Sequence, residues 1–260
     1  MNNVVTVFTI TYNCERFIKN CYDSIKNQTL SDWKWLIVDD GSEDKTEIII
    51  NEINDSRINY YKLPKNVGRG KARNFGLTKI DSLYTVILDM DDTMSIFRLE
   101  NSIKIIKKYN VDLVFTSLNI TNANKEVISS RKALYSNFPK LYTHATLCIS
   151  SELLKELKYC NSRYAEDFVL VLKTLEYNYK IINEPLYNYF ESGSINLKGA
   201  YLSNLHLLNN LKSYYSISQT KVDIVYLLFK TFIKKYLLLF MLNLKLGPLF
   251  YHLLIRLRKN

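Results

Sequence analysis

The sequence predicts an α/β fold with a mostly parallel sheet flanked by helices. Two observations carry that prediction. Short β-branched runs alternate with helically spaced segments over residues 4–88. Acidic clusters directly follow two of the runs, as Val38-Asp-Asp-Gly-Ser-Glu-Asp44 and Leu88-Asp-Met-Asp-Asp92. The runs themselves, Trp35-Leu-Ile-Val38 and Tyr84-Thr-Val-Ile-Leu88, have the length and character of strands covered on both faces, which favours parallel pairing.

Taken in order, Val4 to Ile10 reads as a first strand and Thr11-Tyr-Asn-Cys14 as a polar turn. Glu15 to Asn27 sets Phe17, Ile18, Cys21, Tyr22 and Ile25 at helical spacing. Trp33 to Val38 is the second strand. Ser42 is a candidate N-cap for a helix over Lys45–Ile53, with Asp44 and Glu47 near its positive end. Ile58 to Lys62 is the third strand, Asn66-Val-Gly-Arg-Gly70 a flexible loop, Lys71–Thr78 a helix and Tyr84 to Leu88 the fourth strand. This β-α-β-α-β-α-β order calls for right-handed crossovers. After Asp92 the pattern changes. Ile96–Tyr109 is an amphipathic helix, with Asp92 available to cap it. Val111–Ser117 is a strand and Asn119–Lys125 a polar turn. Residues 126–165 lack clear periodicity. Phe168–Leu175 is an apolar helix, and Ile181–Asn188 is extended, with Pro185 suggesting a sheet edge. There is no internal repeat.

Composition narrows the class. The chain's 260 residues suffice for one large α/β domain or two small ones. Cys14, Cys21, Cys148 and Cys160 show neither metal-ligand spacing nor a disulfide framework, and so read as reduced thiols. The start, Met1-Asn-Asn-Val-Val, lacks a basic region and a long apolar core, so no signal peptide is expected. Residues 201–260 hold nine lysines and arginines against one acid, Asp223, and so account for +8 of the net +10. The first 200 residues are nearly neutral.

In an open α/β sheet, ligands bind outside the carboxyl ends of the strands. The acidic clusters Asp39–Asp40 and Asp89–Asp92 would both sit there and repel each other. A divalent cation held by carboxylates and shared with substrate phosphates would satisfy them.

The same residues resemble the family 2 inverting glycosyltransferases of GT-A fold, over about residues 3–195. Seven segments carry the resemblance, in the right order: Val7-Phe-Thr-Ile-Thr-Tyr-Asn13, Gln28-Thr29, Val38-Asp-Asp-Gly-Ser-Glu-Asp44, Asn66-Val-Gly-Arg-Gly-Lys-Ala-Arg-Asn74, Leu88-Asp-Met-Asp-Asp92, Ala165-Glu-Asp167 and Gly193-Ser-Ile195. The resemblance implies a Rossmann-like sheet and a metal-dependent transfer from a nucleotide sugar, most simply a UDP-linked hexose or N-acetylhexosamine. Residues 1–95 would bind the donor and residues 96–200 the acceptor. Asp40 would read the uracil edge beside Asp39, with Thr11 alongside and Tyr12 packed on the base. Asp91 would be the main ligand to Mn²⁺ or Mg²⁺, with Asp89 and Asp92 behind it or on the sugar. Arg73 would stand near the diphosphate, with Asn74 in support and Arg69 a weaker candidate. Asp167 would be the general base, taking the acceptor's proton on the face opposite the departing nucleotide. Phe190, Glu191 and Ser192 precede Gly193 where the family often has a His, so that loop is given no metal role. His144, His206 and His252 are isolated and read as packed or surface imidazoles.

The basic tail, residues 201–260, mixes Leu228, Phe229, Phe232, Ile233, Tyr236 and Leu237 with Lys230 and Lys234 on another face. Its apolar runs fall short of the roughly 18–20 residues a membrane-spanning helix needs. An in-plane amphipathic anchor over residues 222–260 on an anionic membrane surface fits better, with a helical hairpin packed on the catalytic domain or in a homodimer as the alternative. Nucleic acid is not an expected partner, because the lysines are interleaved with Leu and Phe. A cytoplasmic enzyme at the inner face of the cell membrane follows, extending a lipid-linked glycan of capsule or lipopolysaccharide type. The alternatives are a nucleotidyltransferase, against which stands the lack of a Gly-rich basic loop after the first strand, and an inactive glycan-binding or scaffolding subunit.

Overall fold

A computed structural model describes residues 4–133, 143–161, 164–191, 201, 202 and 205. The chain divides into two compact units, Met1–Tyr135 with Lys140–Glu191, and Ser136–Pro139 with Ser192–Asn260. All elements below belong to the first. The tail over residues 222–260 and the Gly193–Ile195 segment lie outside the described residues.

Strands β1 (Val5–Thr11), β2 (Trp33–Asp39), β3 (Ile58–Lys62) and β4 (Tyr84–Ile87) pair in parallel in the order β3-β2-β1-β4. Helices α1 (Ile18–Lys26), α2 (Thr46–Glu52) and α3 (Arg69–Leu77) connect them. The second half supplies β5 (Thr93–Met94), α4 (Arg98–Tyr109), β6 (Leu113–Thr121), β7 (Val127–Arg131), a 3₁₀ turn at His144–Thr146, β8 (Cys148–Ser150), α5 (Ser151–Leu157), α6 (Glu166–Thr174) and β9 (Tyr179–Phe190). The sheet continues past β4 as β8-β6-β9-β5, with β7 paired to β6. Here β6 and β9 are parallel, whereas β8 runs antiparallel to both β4 and β6.

Side-chain alternation explains the layering. On β2, Trp33, Trp35 and Ile37 face a core shared with Ile18, Cys21 and Ile25 of α1, Ile50 of α2, and Leu99, Ile103 and Ile106 of α4. Leu36 and Val38 face the other way, onto Ala72 and Leu77 of α3, Leu153 and Leu154 of α5, and Leu170 and Val171 of α6. All five β2 side chains are at most 1% exposed, which is why the sequence shows a run there instead of an alternation. The sheet is therefore a central layer between two helical ones, as the α/β reading requires.

Several local expectations need correction. Ser42 does not cap α2. Its Oγ accepts from the Asn13 N–H at 2.9 Å, while Asp44 Oδ1 accepts from the Thr46 N–H at 3.0 Å at the start of the helix. Nor does Asp92 cap α4, since its carboxylate is taken up by β9. The polar turn is shorter than Asn119–Lys125, because β6 runs through Thr121. The aperiodic stretch 126–165 contains β7, β8 and α5, elements too short to show a period. Pro185 is an exception, because β9 has β6 on one side there while β5 on the other pairs only with Tyr187 and Asn188, as an edge proline requires. It stands opposite Ser117 where the β6–β9 register shifts, a bulge position at which a missing N–H is tolerated.

Candidate active site

The parallel strands end together, so their acidic and polar termini share one edge of the sheet. Thr11 pairs in register with Asp39, and Asp39 with Lys62. Two residues past β4 stands Asp89. Loops there are stitched across strands: the Asp40 N–H donates to Thr11 O at 2.9 Å, and the Glu43 N–H to Asn13 Oδ1 at 2.9 Å. Thr11 is buried and Tyr12 is 44% exposed, leaving its ring open at this edge.

Asp39 and Asp40 are both buried and both engaged. Asp39 accepts from the Ser42 N–H at 2.7 Å and the Tyr60 hydroxyl at 2.6 Å. Burial and this carboxylate push the Tyr60 phenol well up, so it stays a donor. Asp40 accepts from the Val67 N–H at 2.7 Å and the Gly68 N–H at 2.9 Å. It therefore fixes the loop that leads into α3. Gly68 takes φ 91°, a left-handed conformation that favours glycine.

In the second cluster the side chains part ways. Asp92 is buried, accepting from the Tyr187 hydroxyl and, at 2.6 Å, from the Phe190 N–H. It braces the acidic turn against β9. Burial, with the charges of Asp91 and Asp89, holds its carboxyl well above the usual range. Asp91 points outward and is exposed. Although its surface is open, the protein around it withdraws it enough from water, and Asp89 is near enough, that its carboxyl is pushed up to about 6. Asp89, with 36% of its side chain exposed, lies 3.5 Å from Arg73 Nη2.

No group of three His, Cys, Asp or Glu residues able to hold a metal occurs among the described residues. An all-protein cage is thus not what this turn offers. An outward carboxylate whose ionised form is disfavoured by partial burial and by Asp89 suits a Mg²⁺ or Mn²⁺ ion that draws its remaining ligands from phosphates and water.

On the far side stands a cluster that the sequence did not fully disclose. Ala165 adopts φ 59°, unusual for a residue with a Cβ, and turns the chain into α6. The turn sends Glu166 inward, where it is 0% exposed. Its Oε1 meets Arg73 Nη1 at 2.5 Å and Arg69 Nε at 3.1 Å, while its buried Oε2 has no hydrogen-bond partner. Arg73, expected beside the diphosphate, is a buried link between Glu166 and Asp89, with its guanidinium 5.3 Å from the centre of the Tyr159 ring. Asn74 is likewise committed within the protein. Its amide donates to Tyr159 O at 2.8 Å and accepts from the Tyr159 N–H at 2.9 Å, which clamps the segment after α5. His144 is buried, with Nε2 2.8 Å from the Tyr159 hydroxyl.

Asp167 is half-buried in the first turn of α6, and its Oδ1 accepts from the Phe168 N–H at 2.8 Å. Burial alone would raise its carboxyl, but nearby positive charge, Arg73 foremost, outweighs this and holds it below its ordinary value. It is therefore ionised at neutral pH, the state a proton acceptor needs.

The glycosyl transferase family 2 model matches residues 6–154. An uncharacterized glycosyltransferase of Methanocaldococcus jannaschii is 30% identical over 231 residues, spanning 82% of this chain and 78% of its own. The Escherichia coli enzyme WfgD is named a UDP-Glc:α-D-GlcNAc-diphosphoundecaprenol β-1,3-glucosyltransferase. It is 29% identical over 140 residues, which is 53% of this chain and 55% of that one. The chain thus spans about half the length of WfgD. Among solved structures, the Pyrobaculum calidifontis mannosyltransferase PcManGT, in complex with GDP-Man and Mn²⁺, superposes with a TM-score of 0.65 at 18% identity, over 88% of this chain and 70% of its own. That likeness concerns the fold alone.

Proposed function

The chain belongs to glycosyl transferase family 2 and is a glycosyltransferase; on that premise we propose that it transfers a hexose or N-acetylhexosamine, with inversion, from a UDP-sugar to a hydroxyl of a growing, lipid-linked surface glycan. The carrying observation is the single sheet edge where Tyr12, Asp39–Asp40, Asp89 and Asp91 gather. A nucleoside would lie against the open Tyr12 ring. Asp39 and Asp40 define the floor of that end, and the uracil edge would meet the Asp40 side of it. Asp91, with Asp89 beside it, would hold Mg²⁺ or Mn²⁺, which supplies charge neutralisation for the diphosphate leaving group when bound. Arg73 acts at this site through its field and by orienting Asp89, because its own guanidinium is withdrawn.

Asp167 takes the proton from the acceptor hydroxyl as that oxygen attacks the anomeric carbon. Its ionised state and its place at the mouth of α6 support the role. The glucosyltransferase WfgD, named for a UDP-sugar and a diphosphoundecaprenol-linked acceptor, supports the substrate classes. The parallel half within residues 1–95 is the donor part, and the mixed half within residues 96–200 the acceptor part. No helix among the described residues is long and apolar enough to cross a membrane. The basic residues 222–260 would hold the enzyme on the cytoplasmic face of an anionic membrane, with a second copy of the chain as the competing partner.

The test uses the full chain with UDP-, dTDP- and GDP-sugars, with Mn²⁺ or with EDTA, following nucleotide release. Metal-dependent release from a UDP-sugar is expected. Asp167→Asn should then lower transfer by roughly 10²–10⁴-fold with UDP binding intact. Near-normal transfer by that variant would remove Asp167 from the mechanism.

A further inference from the structure

We propose that Arg69 is the residue that engages the donor's diphosphate, held ready by Glu166 and Arg73, which do not themselves touch the donor. This rests on the nucleotide-sugar reading above.

Arg69 and Arg73 lie four residues apart on α3, so their side chains share one face of the helix, whereas Lys71 is turned away from it. Both guanidiniums converge on one atom, Glu166 Oε1, at 3.1 Å from Arg69 Nε and 2.5 Å from Arg73 Nη1. Exposure separates them. The Arg73 side chain is 4% exposed and that of Arg69 is 51%. Swinging Arg73 out to a phosphate would strip Glu166 of its closest partner. The second oxygen of Glu166 already has none, so an unpaired buried carboxylate would result.

Arg69 faces no such constraint. Its Nε lies 3.1 Å from Glu166 Oε1 as an ion pair, and half of its side chain stays open to solvent. A guanidinium drawn towards Glu166 on its Nε side by charge would offer its two Nη groups as a fork for two oxygens of one phosphate. The backbone places that fork well. Arg69 is the first residue of α3 and follows Val67 and Gly68, whose N–H groups Asp40 holds. Its partner Arg73 reaches on to Asp89. The fork thus belongs to a helix start that is tied to Asp40 through the preceding loop and, through Arg73, to Asp89. Asp40 and Glu166 together fix both the loop and the side chain.

The experiment compares wild type, Arg69→Gln and Lys71→Gln as full chains in Mn²⁺. UDP affinity is read by calorimetry and uridine affinity by ligand-observed NMR. Arg69→Gln should weaken UDP at least roughly tenfold, the scale of one lost charge-assisted hydrogen bond, and leave uridine unchanged. Lys71→Gln should stay within about twofold for both. An unchanged UDP affinity in Arg69→Gln overturns the proposal, as does an equal loss in Lys71→Gln, which would mark a general field effect. Parallel loss of uridine also overturns it, because the damage would then be structural. If wild type binds neither UDP nor GDP, the donor reading falls, and this inference with it.

Discussion

Replacing His144 with Gln should remove about 2 kcal/mol of acid-dependent destabilisation. His144 is 6% exposed, with Nε2 2.8 Å from the Tyr159 hydroxyl and the two rings edge-to-face at 5.5 Å. Burial, reinforced by the Arg73 charge, lowers its imidazole to about 3. An unfolded histidine titrates near 6.5. Between these values the unfolded chain binds a proton that the native chain refuses. Stability is therefore full above pH ~6.5 and declines as the pH falls towards ~3. From pH ~7.5 to ~5 the unfolded state gains about 2 kcal/mol from protonation at this site, from RT ln[(1 + 10^1.5)/(1 + 10^−1)]. The result hardly depends on how far below 5 the native value lies. Urea titrations of wild type and His144→Gln at both pH values measure it. Glutamine keeps a polar side chain there but cannot titrate. The variant is expected to be less stable at both pH values, yet its drop on acidification should be smaller by about 2 kcal/mol, or roughly 1 M in midpoint for a slope near 2 kcal/mol/M. Equal drops in the two proteins would refute the argument, since His144 would then carry a proton as readily folded as unfolded.

Tyr187→Phe should cost about 1–3 kcal/mol in the same assay, because it takes a donor from buried Asp92 and an acceptor, at 3.3 Å, from the Asp89 N–H. A shift under about 0.5 kcal/mol would mean that the Phe190 N–H suffices for Asp92. Gly41→Ala should cost about 2 kcal/mol or more, since Gly41 holds φ 81° and a Cβ would stand 2.7 Å from the Lys65 carbonyl carbon. An unchanged urea midpoint would show that the two loops part without cost.

The parallel half of the fold was legible because burial on both faces writes itself into composition. Trp35 through Val38 cannot alternate when Trp35 and Ile37 pack on one helical layer and Leu36 and Val38 on the other. Residues 126–165 were opaque for the complementary reason. Cys148–Ser150 is a three-residue strand between two partners, and no period can be expressed in three residues. Pro185 was legible because proline signals a missing donor, and β9 has a strand partner on one side only there, beside a register shift that also tolerates the absence. Ser42 and Asp44 shared one loop with equal capping credentials, and only the hydrogen bonds to Asn13 and Thr46 tell them apart.

At the site, sequence could name the charged residues but not which way they face. Two acidic clusters at one sheet edge call for a cation between them, and the sequence reading supplied a divalent metal, with Arg73 assigned to the diphosphate. For Asp89 the protein also supplies a guanidinium, since Arg73 lies 3.5 Å from it while meeting Glu166 at 2.5 Å. Glu166 was the harder residue to see. In the pair Glu166–Asp167, both positions suit a helix start, and nothing in composition says that one turns inward. The signal is backbone geometry: Ala165 at φ 59° rotates the helix entry so that Glu166 is buried and Asp167 stays half-open. Two adjacent carboxylates thereby acquire opposite work. The buried one needs cations and collects the two arginines of α3. The open one is kept ionised by those same arginines and is free to receive a proton. Swapping the order of the pair would conserve composition, charge and helix propensity. It would also put the longer side chain at the mouth and leave a shorter one unable to span the distance to Arg73.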